Sequence, residues 1–203
     1  MNHRSMDTYY TLAAPSKALF TEKRSRFISF AIPVTTREQA REEVKRVSKE
    51  YFDARPVCWA FMLGADRLDF LSSDNGEPSG TAGKPILGQI NSANLTDIVI
   101  IVVRYFGGIK LGTPGLIAAY REAARLAIEE GEIIECHKKE TFTFTFPYLA
   151  MNDVMKVVKS SPELDILSQA FDNSCSMTLS MRADIFPEIT GRLLSLDGVC
   201  AAD

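Results

Sequence analysis

Apolar and polar positions along the chain alternate with a period of two in some stretches and with a helical period in others. Arg26–Val34 (RFISFAIPV) reads as a strand, and Glu38–Phe52 reads as a helix. Ala40, Val44, Val47 and Tyr51 fall on one face of that helix. Arg37, Arg41, Glu42, Glu43, Lys45, Arg46, Lys49 and Glu50 make up its solvated remainder. Val57–Leu63 and Leu68–Leu71 read as two strands joined by a turn at Gly64–Asp66. A short helix is expected over Ile86–Ala93. The run IVIIVV, Ile98–Val103, has the length and composition of a buried strand, and a helix is expected over Pro114–Glu130. Leu116, Ala119, Tyr120, Ala123, Ala127 and Ile128 give that helix a core face. Thr113 suits its N-cap, Pro114 its first turn and Gly131 its C-terminal end.

The pattern changes after residue 137. Residues 132–137 read as one more strand, and then TFTFTF at Thr141–Phe146 alternates strictly, as a half-buried antiparallel strand does. Helix Leu149–Lys159, strands near Asp165–Phe171 and Ser176–Arg182, helix Ile185–Leu196 and a tail strand at 198–202 complete a βαββαβ order. That is a ferredoxin-like pattern. The fold class is α+β, with an N-terminal domain over residues 1–137 and a C-terminal ferredoxin-like domain over 138–203.

Composition narrows the function classes. The chain has 203 residues, 46% of them apolar and 24% charged, and a net charge of −3. These are values of an ordinary globular protein with no bulk pull toward nucleic acid or acidic membranes. Residues 138–203, with 6 Lys/Arg and 9 Asp/Glu, account for the excess negative charge. A nucleic-acid contact would therefore need a local basic patch on the first domain. Cys58, Cys136, Cys175 and Cys200 are widely spaced, and the two histidines are His3 and His137. This is neither a zinc framework nor a disulfide scaffold. No metal or cofactor is expected. The N-terminal stretch MNHRSMDTYYTLAAPSKALF is polar and interrupted, and no apolar run has the length of a membrane span. The expected location is cytoplasmic, with no membrane partner.

Two loops carry the candidate chemistry. SSDNGEPSGTAGKP, Ser72–Pro85, is dense in turn formers and long for a compact domain. RYFGGIKLGTPGL follows the IVIIVV strand and runs into the helix. Backbone N–H groups and the dipole at a helix start, together with Arg104 and Lys110, make a candidate anion site there. Its candidate members are Arg104, Tyr105, Gly107, Gly108, Lys110, Gly112 and Thr113, with Lys84 from the first loop. Asp74, Glu77, Ser79 and Thr81 form the candidate set of the first loop. Neither loop has the spacing of a P-loop or of G-x-G-x-x-G. Asp74 and Glu77 suit acid–base work or Mg²⁺, or else Asp74 and Asn75 cap a turn while Glu77 pairs with a cation. Arg104 suits a phosphate, or else it pairs with Glu77 or Asp74 and staples the loops together. Cys58 and Trp59 read as core, and Lys23, Arg24 and Arg26 form a further basic cluster. His3 and His137 offer no convincing base for a triad, so no catalytic residue is assigned.

RYFGGIKLGTPGLIAAY and SDNGEPSGTAGKPIL, with KRSRFISF at 23–30 and DARPVCWAF at 53–61, resemble the IMPACT/YigZ family. The resemblance implies an N-terminal domain of the ribosomal protein S5 domain 2-like fold, a sheet with helices packed on one side. It implies that the C-terminal part is similar to the last domain of elongation factor G. It also implies a role in translation, which eukaryotic members regulate by competing for the activator of an amino-acid-starvation kinase. Two departures stand out. Pro56 and Val57 replace the histidine that the family carries before the motif cysteine, and Pro114 replaces a glycine at the helix start.

The leading expectation is a translation-associated regulatory protein that binds RNA, the ribosome or a translation-factor surface without catalysis. The alternatives are an enzyme acting on a phosphate-containing small molecule or nucleotide, and a pure protein-interaction module.

Overall fold

The computed structural model describes residues 7–161, 163–172 and 174–202; His3 lies outside them. The chain divides into two compact units, Tyr9–Cys136 and the part from His137 onward, the latter together with Asp7 and Thr8.

The first unit is built on a five-stranded sheet. Its strands are β2 (Ser16–Glu22), β3 (Ser25–Pro33), β4 (Val57–Leu63), β5 (Asp69–Ser73) and β6 (Ile98–Tyr105). Their order is β2-β3-β6-β4-β5, and every neighbouring pair is antiparallel. Three helices cover it: α1 (Arg37–Glu50), α2 (Gly83–Ser92) and α3 (Gly112–Glu129). The period-two rule sorts the side chains. Phe27, Cys58, Ala60, Ile98, Ile100 and Val102 pack with residues of α2 and α3, whereas Phe30, Phe61, Val99, Ile101 and Val103 pack with Ala40 and Val47 of α1. The sheet is thus covered on both faces, not one. That explains why IVIIVV reads as a continuous apolar run: all six residues are fully buried. Burying each such side chain contributes about 1.5–3 kcal/mol.

Local chemistry sets the helix ends. Thr36 caps α1 by accepting from the Gln39 N–H, and Gln39 Oε1 accepts in return from the Thr35 N–H. Helix α2 begins at Gly83, three residues before the pattern predicts, because a carboxylate of the preceding loop caps it. Helix α3 begins at Gly112, with Leu111 at the cap and no side-chain bond, so Thr113 is not its N-cap. Pro114 lies in the first turn, where its missing N–H has no intrahelical partner to lose. At the far end Gly131 serves close approach: a Cβ there would stand 3.0 Å from Leu12.

Two elements escape the periodicity. Strand β1 (Thr8–Leu12) pairs with β7 (Ile133–His137), and β2 is a half-buried edge strand. A tight turn with positive φ at Lys23 and Arg24 joins β2 to β3. Two members of the basic cluster are therefore hairpin-turn residues.

The second unit holds β8 (Lys139–Phe146), a 3-10 turn (Tyr148–Ala150), α4 (Met151–Lys159), β9 (Asp165–Phe171), β10 (Cys175–Arg182), α5 (Phe186–Leu194) and β11 (Cys200–Ala201). Its sheet order is β11-β8-β10-β9, which is the ferredoxin-like order 4-1-3-2. Phe144, Phe146, Met177 and Leu179 pack against Val154, Val158, Ile189 and Leu193 of the two helices.

Candidate functional site

The loop after β5 is organised by one carboxylate. Asp74 Oδ2 accepts from the Gly80 N–H at 2.7 Å, while Oδ1 accepts from Ala82 and Gly83 at 3.0 and 2.8 Å. Burial raises the carboxyl pKa, but the three N–H groups, with Lys84 nearby, outweigh it and hold Asp74 below the ordinary aspartate range. These bonds satisfy the N-terminal donors of α2 from a distance, which is why the helix extends back to Gly83 although Ala82 offers no cap of its own. Gly83 is required sterically, since a Cβ there would stand 2.8 Å from the Ser73 nitrogen. Thr81 is buried and donates to the Pro78 carbonyl at 2.6 Å, and Asn75 Nδ2 donates to the Val57 carbonyl at 2.8 Å. Ser79 is exposed.

Arg104 joins this loop to the sheet. Its Nη1 donates to Glu77 Oε1 at 2.7 Å, with the two side chains 10% and 6% exposed. The guanidinium lies over the rings of Phe27 and Phe106, at 5.6 and 5.5 Å, and its Nε has no hydrogen-bond partner among the described residues. Tyr120, fully buried on α3, donates its hydroxyl to the same Glu77 oxygen at 2.9 Å. The Cys58 thiol lies 3.5 Å from that hydroxyl and donates to the Asp74 carbonyl at 2.9 Å. Burial pushes Cys58 up to about 12, and burial with the neighbouring Cys58 and Glu77 raises Tyr120 as well. Both groups are protonated at neutral pH. Cys58 and Tyr120 belong to the cluster although periodicity marks them only as core. The signal for Tyr120 is its hydroxyl, which a fully buried position obliges to find a partner. We expect iodoacetamide to label the exposed Cys200 and to spare Cys58 in the folded protein; mass spectrometry of the labelled peptides checks this.

The second loop presents a different surface. Gly107 passes so close to the Arg24–Ser25 backbone that a Cβ would stand 2.1 Å from the Arg24 carbonyl carbon, and its N–H donates to Ser25 Oγ at 3.1 Å. The loop is thereby clamped onto the β2–β3 turn. Gly108 and Gly112 hold φ of 87° and 70°, which glycine adopts without a Cβ clash. Tyr105 donates to Asp53 at 2.8 Å. Phe106, Ile109, Lys110 and Thr113 are exposed. Arg104 is not the free cation that its place beside Lys110 suggests, because its charge is met inside by Glu77.

An open groove of about 570 Å³ runs between α2 and α3, lined by Gly80, Lys84, Gly88, Gln89, Ile117 and Arg121 among others. Lys84 and Arg121 are exposed, and among the described residues no carboxylate lines the groove. Among the described residues no cluster of His, Cys, Asp and Glu could hold a metal ion, and no helix is long and apolar enough to cross a membrane.

Two α+β units, the first with a loop tied to its sheet by a buried ion pair, define the class. The first has the ribosomal protein S5 domain 2-like fold and the second the ferredoxin-like fold. The Impact N-terminal domain matches residues 23–128, and the chain belongs to the IMPACT family. It is 34% identical over 174 residues to an IMPACT family member of Haemophilus influenzae, covering 84% of each chain. It is 40% identical over 127 residues to the IMPACT family member YigZ of Escherichia coli, covering 62% of each. A solved structure described as a hypothetical protein superposes with a TM-score of 0.75 at 29% identity, covering 96% of both chains.

Proposed function

We propose that this protein is a translation-associated regulator that binds RNA on the ribosome and carries out no chemistry of its own. The observation that carries the proposal is the internal closure of the loop cluster. Asp74, Glu77, Arg104, Tyr120 and Cys58 direct their polar groups to one another and to the backbone. Among the groups that the two loops and the adjoining helices leave in solvent are the cations Lys84, Lys110 and Arg121, with Phe106 and Ile109 beside Lys110. Exposed cations beside exposed aromatic and apolar groups suit phosphate contact and base stacking. Arg104 then positions the loop, while Lys84, Lys110 and Arg121 meet phosphate.

Sedimentation with purified ribosomes and with ribosomal RNA tests this. Binding at low salt is expected to weaken steeply as salt rises. The Lys84→Ala/Lys110→Ala/Arg121→Ala variant is expected to bind more weakly. Its log–log salt slope should be shallower by about 0.7–0.9 for each phosphate it no longer neutralises. A second reading, a small phosphate-bearing ligand in the α2–α3 groove, is favoured by the groove's size and its two cations. It predicts a nucleotide-dependent rise in melting temperature that Lys84→Ala abolishes.

A further inference from the structure

On the opposite face of the first unit, α1 and the sheet leave a second feature that RNA binding does not use. A slot of about 180 Å³ opens between them, walled by Ala40 and Val44 of α1 and by Trp59 and Phe61 of β4. The two aromatic rings are parallel within 3°, with centroids 5.9 Å apart. The remaining wall residues are Arg41 and Lys45, and among the described residues no carboxylate lines the slot.

Three observations around it converge. The slot continues toward a strand edge, because Leu71 of β5 pairs with Phe61 and points to the same face of the sheet. Leu71 is 47% exposed, and α1 packs mainly over β6 and β4. Strand β5 is the last strand of the sheet, so among the described residues the backbone groups along its outer side have no strand to pair with. Finally, Arg37, Arg41 and Lys45 recur every fourth residue and form one stripe along α1. Arg37 pairs with Asp69 of β5 at 2.7 Å, which fixes the stripe beside that edge. Arg41 and Lys45 have no carboxylate partner among the described residues.

We propose that this face is a binding site for an extended acidic peptide of a partner protein: its backbone adds to the β5 edge, one apolar side chain enters the Trp59–Phe61 slot, and its carboxylates meet Arg41 and Lys45. Main-chain pairing supplies affinity in this mode and the pocket supplies selectivity. The charge lining the slot is positive only, which selects an acidic segment over a basic one.

The chain's single tryptophan, Trp59, sits in the slot and reports on it directly. The experiment titrates the full chain with a pool of short synthetic peptides that carry Phe, Leu, Ile or Met at the centre and Asp or Glu at the flanks. A saturable change in Trp59 emission is expected. It should weaken about tenfold or more in Arg41→Glu/Lys45→Glu, whose positions are exposed and whose melting temperature should stay near that of the wild type. Alternate-residue N-methylation of the peptides should abolish it. No response from the acidic pool, an equal response from a pool with lysine flanks, or an undiminished response in the charge-reversal variant each overturns the proposal. A Trp59 change that follows protein concentration without peptide would show a second copy in the site and overturn it as well. Ribosome binding by the same variant should be unaffected, so this result and that of the RNA-binding proposal are read separately.

Discussion

Arg104→Ala is expected to lower the unfolding free energy by about 3–5 kcal/mol in urea titrations, because it leaves the Glu77 carboxylate buried without its cation. The loss exceeds that of an exposed pair. Arg125 with Glu122, for instance, lies on the solvent side of α3, where such a pair contributes about 0–1 kcal/mol. The cost comes from the orphaned charge more than from the pair itself. Replacing both partners by apolar groups, as in Arg104→Met/Glu77→Met, should therefore recover much of the loss, with the Tyr120 O–H left without its Glu77 acceptor. An Arg104→Ala variant within about 0.5 kcal/mol of wild type would show that the pair does not hold the loops.

Asp74→Ala is the second large effect. It removes the acceptor for three backbone N–H groups at Gly80, Ala82 and Gly83, and should cost about 2–4 kcal/mol, with the first turn of α2 fraying. Hydrogen exchange at Ala82 and Gly83 should rise before the rest of the unit opens. The carboxyl also has a defined pH signature. Its pKa is lower in the folded state than in the unfolded chain, so the charged form stabilises the fold. That stability is fully present above the ordinary aspartate value of about 4 and is lost as pH falls through the folded value. Asp74→Asn should be less stable than wild type at neutral pH and should show a shallower acid-side slope in melting temperature. Equal slopes would place the linkage elsewhere.

Much of the architecture is legible in the pattern of residues, and the exceptions have physical causes. IVIIVV is a continuous apolar run, TFTFTF and the α3 core face each follow a single period, and each forms the expected element. The edge strand β2 escapes because a half-buried edge needs little apolar character. The early start of α2 escapes because its cap, Asp74, lies nine residues before Gly83 in the sequence and is brought there only by the folded loop. For the same reason the sequence could pose the choice between an anion-binding Arg104 and a paired one without deciding it. Glu77 and Arg104 are 27 residues apart, and only the placement of β6 beside β4 joins them. Tyr120 illustrates the opposite case: its helical spacing marks it as core, and the hydroxyl that ties α3 to Glu77 is invisible to periodicity.

The separation between the inward-turned network and the outward-facing cations makes the two charge classes distinguishable. Under the proposed RNA binding, Arg104 acts on stability, while Lys84, Lys110 and Arg121 act on binding. The most direct measurement is a salt titration of ribosomal RNA binding by the wild type and by Lys84→Ala/Lys110→Ala/Arg121→Ala, with folding of both verified by their melts. Wild-type protein should bind at low salt, and the folded triple variant should show a weaker, less salt-dependent affinity. Absence of wild-type binding at low salt, or identical affinity and slope in the triple variant, would contradict RNA binding through these three cations.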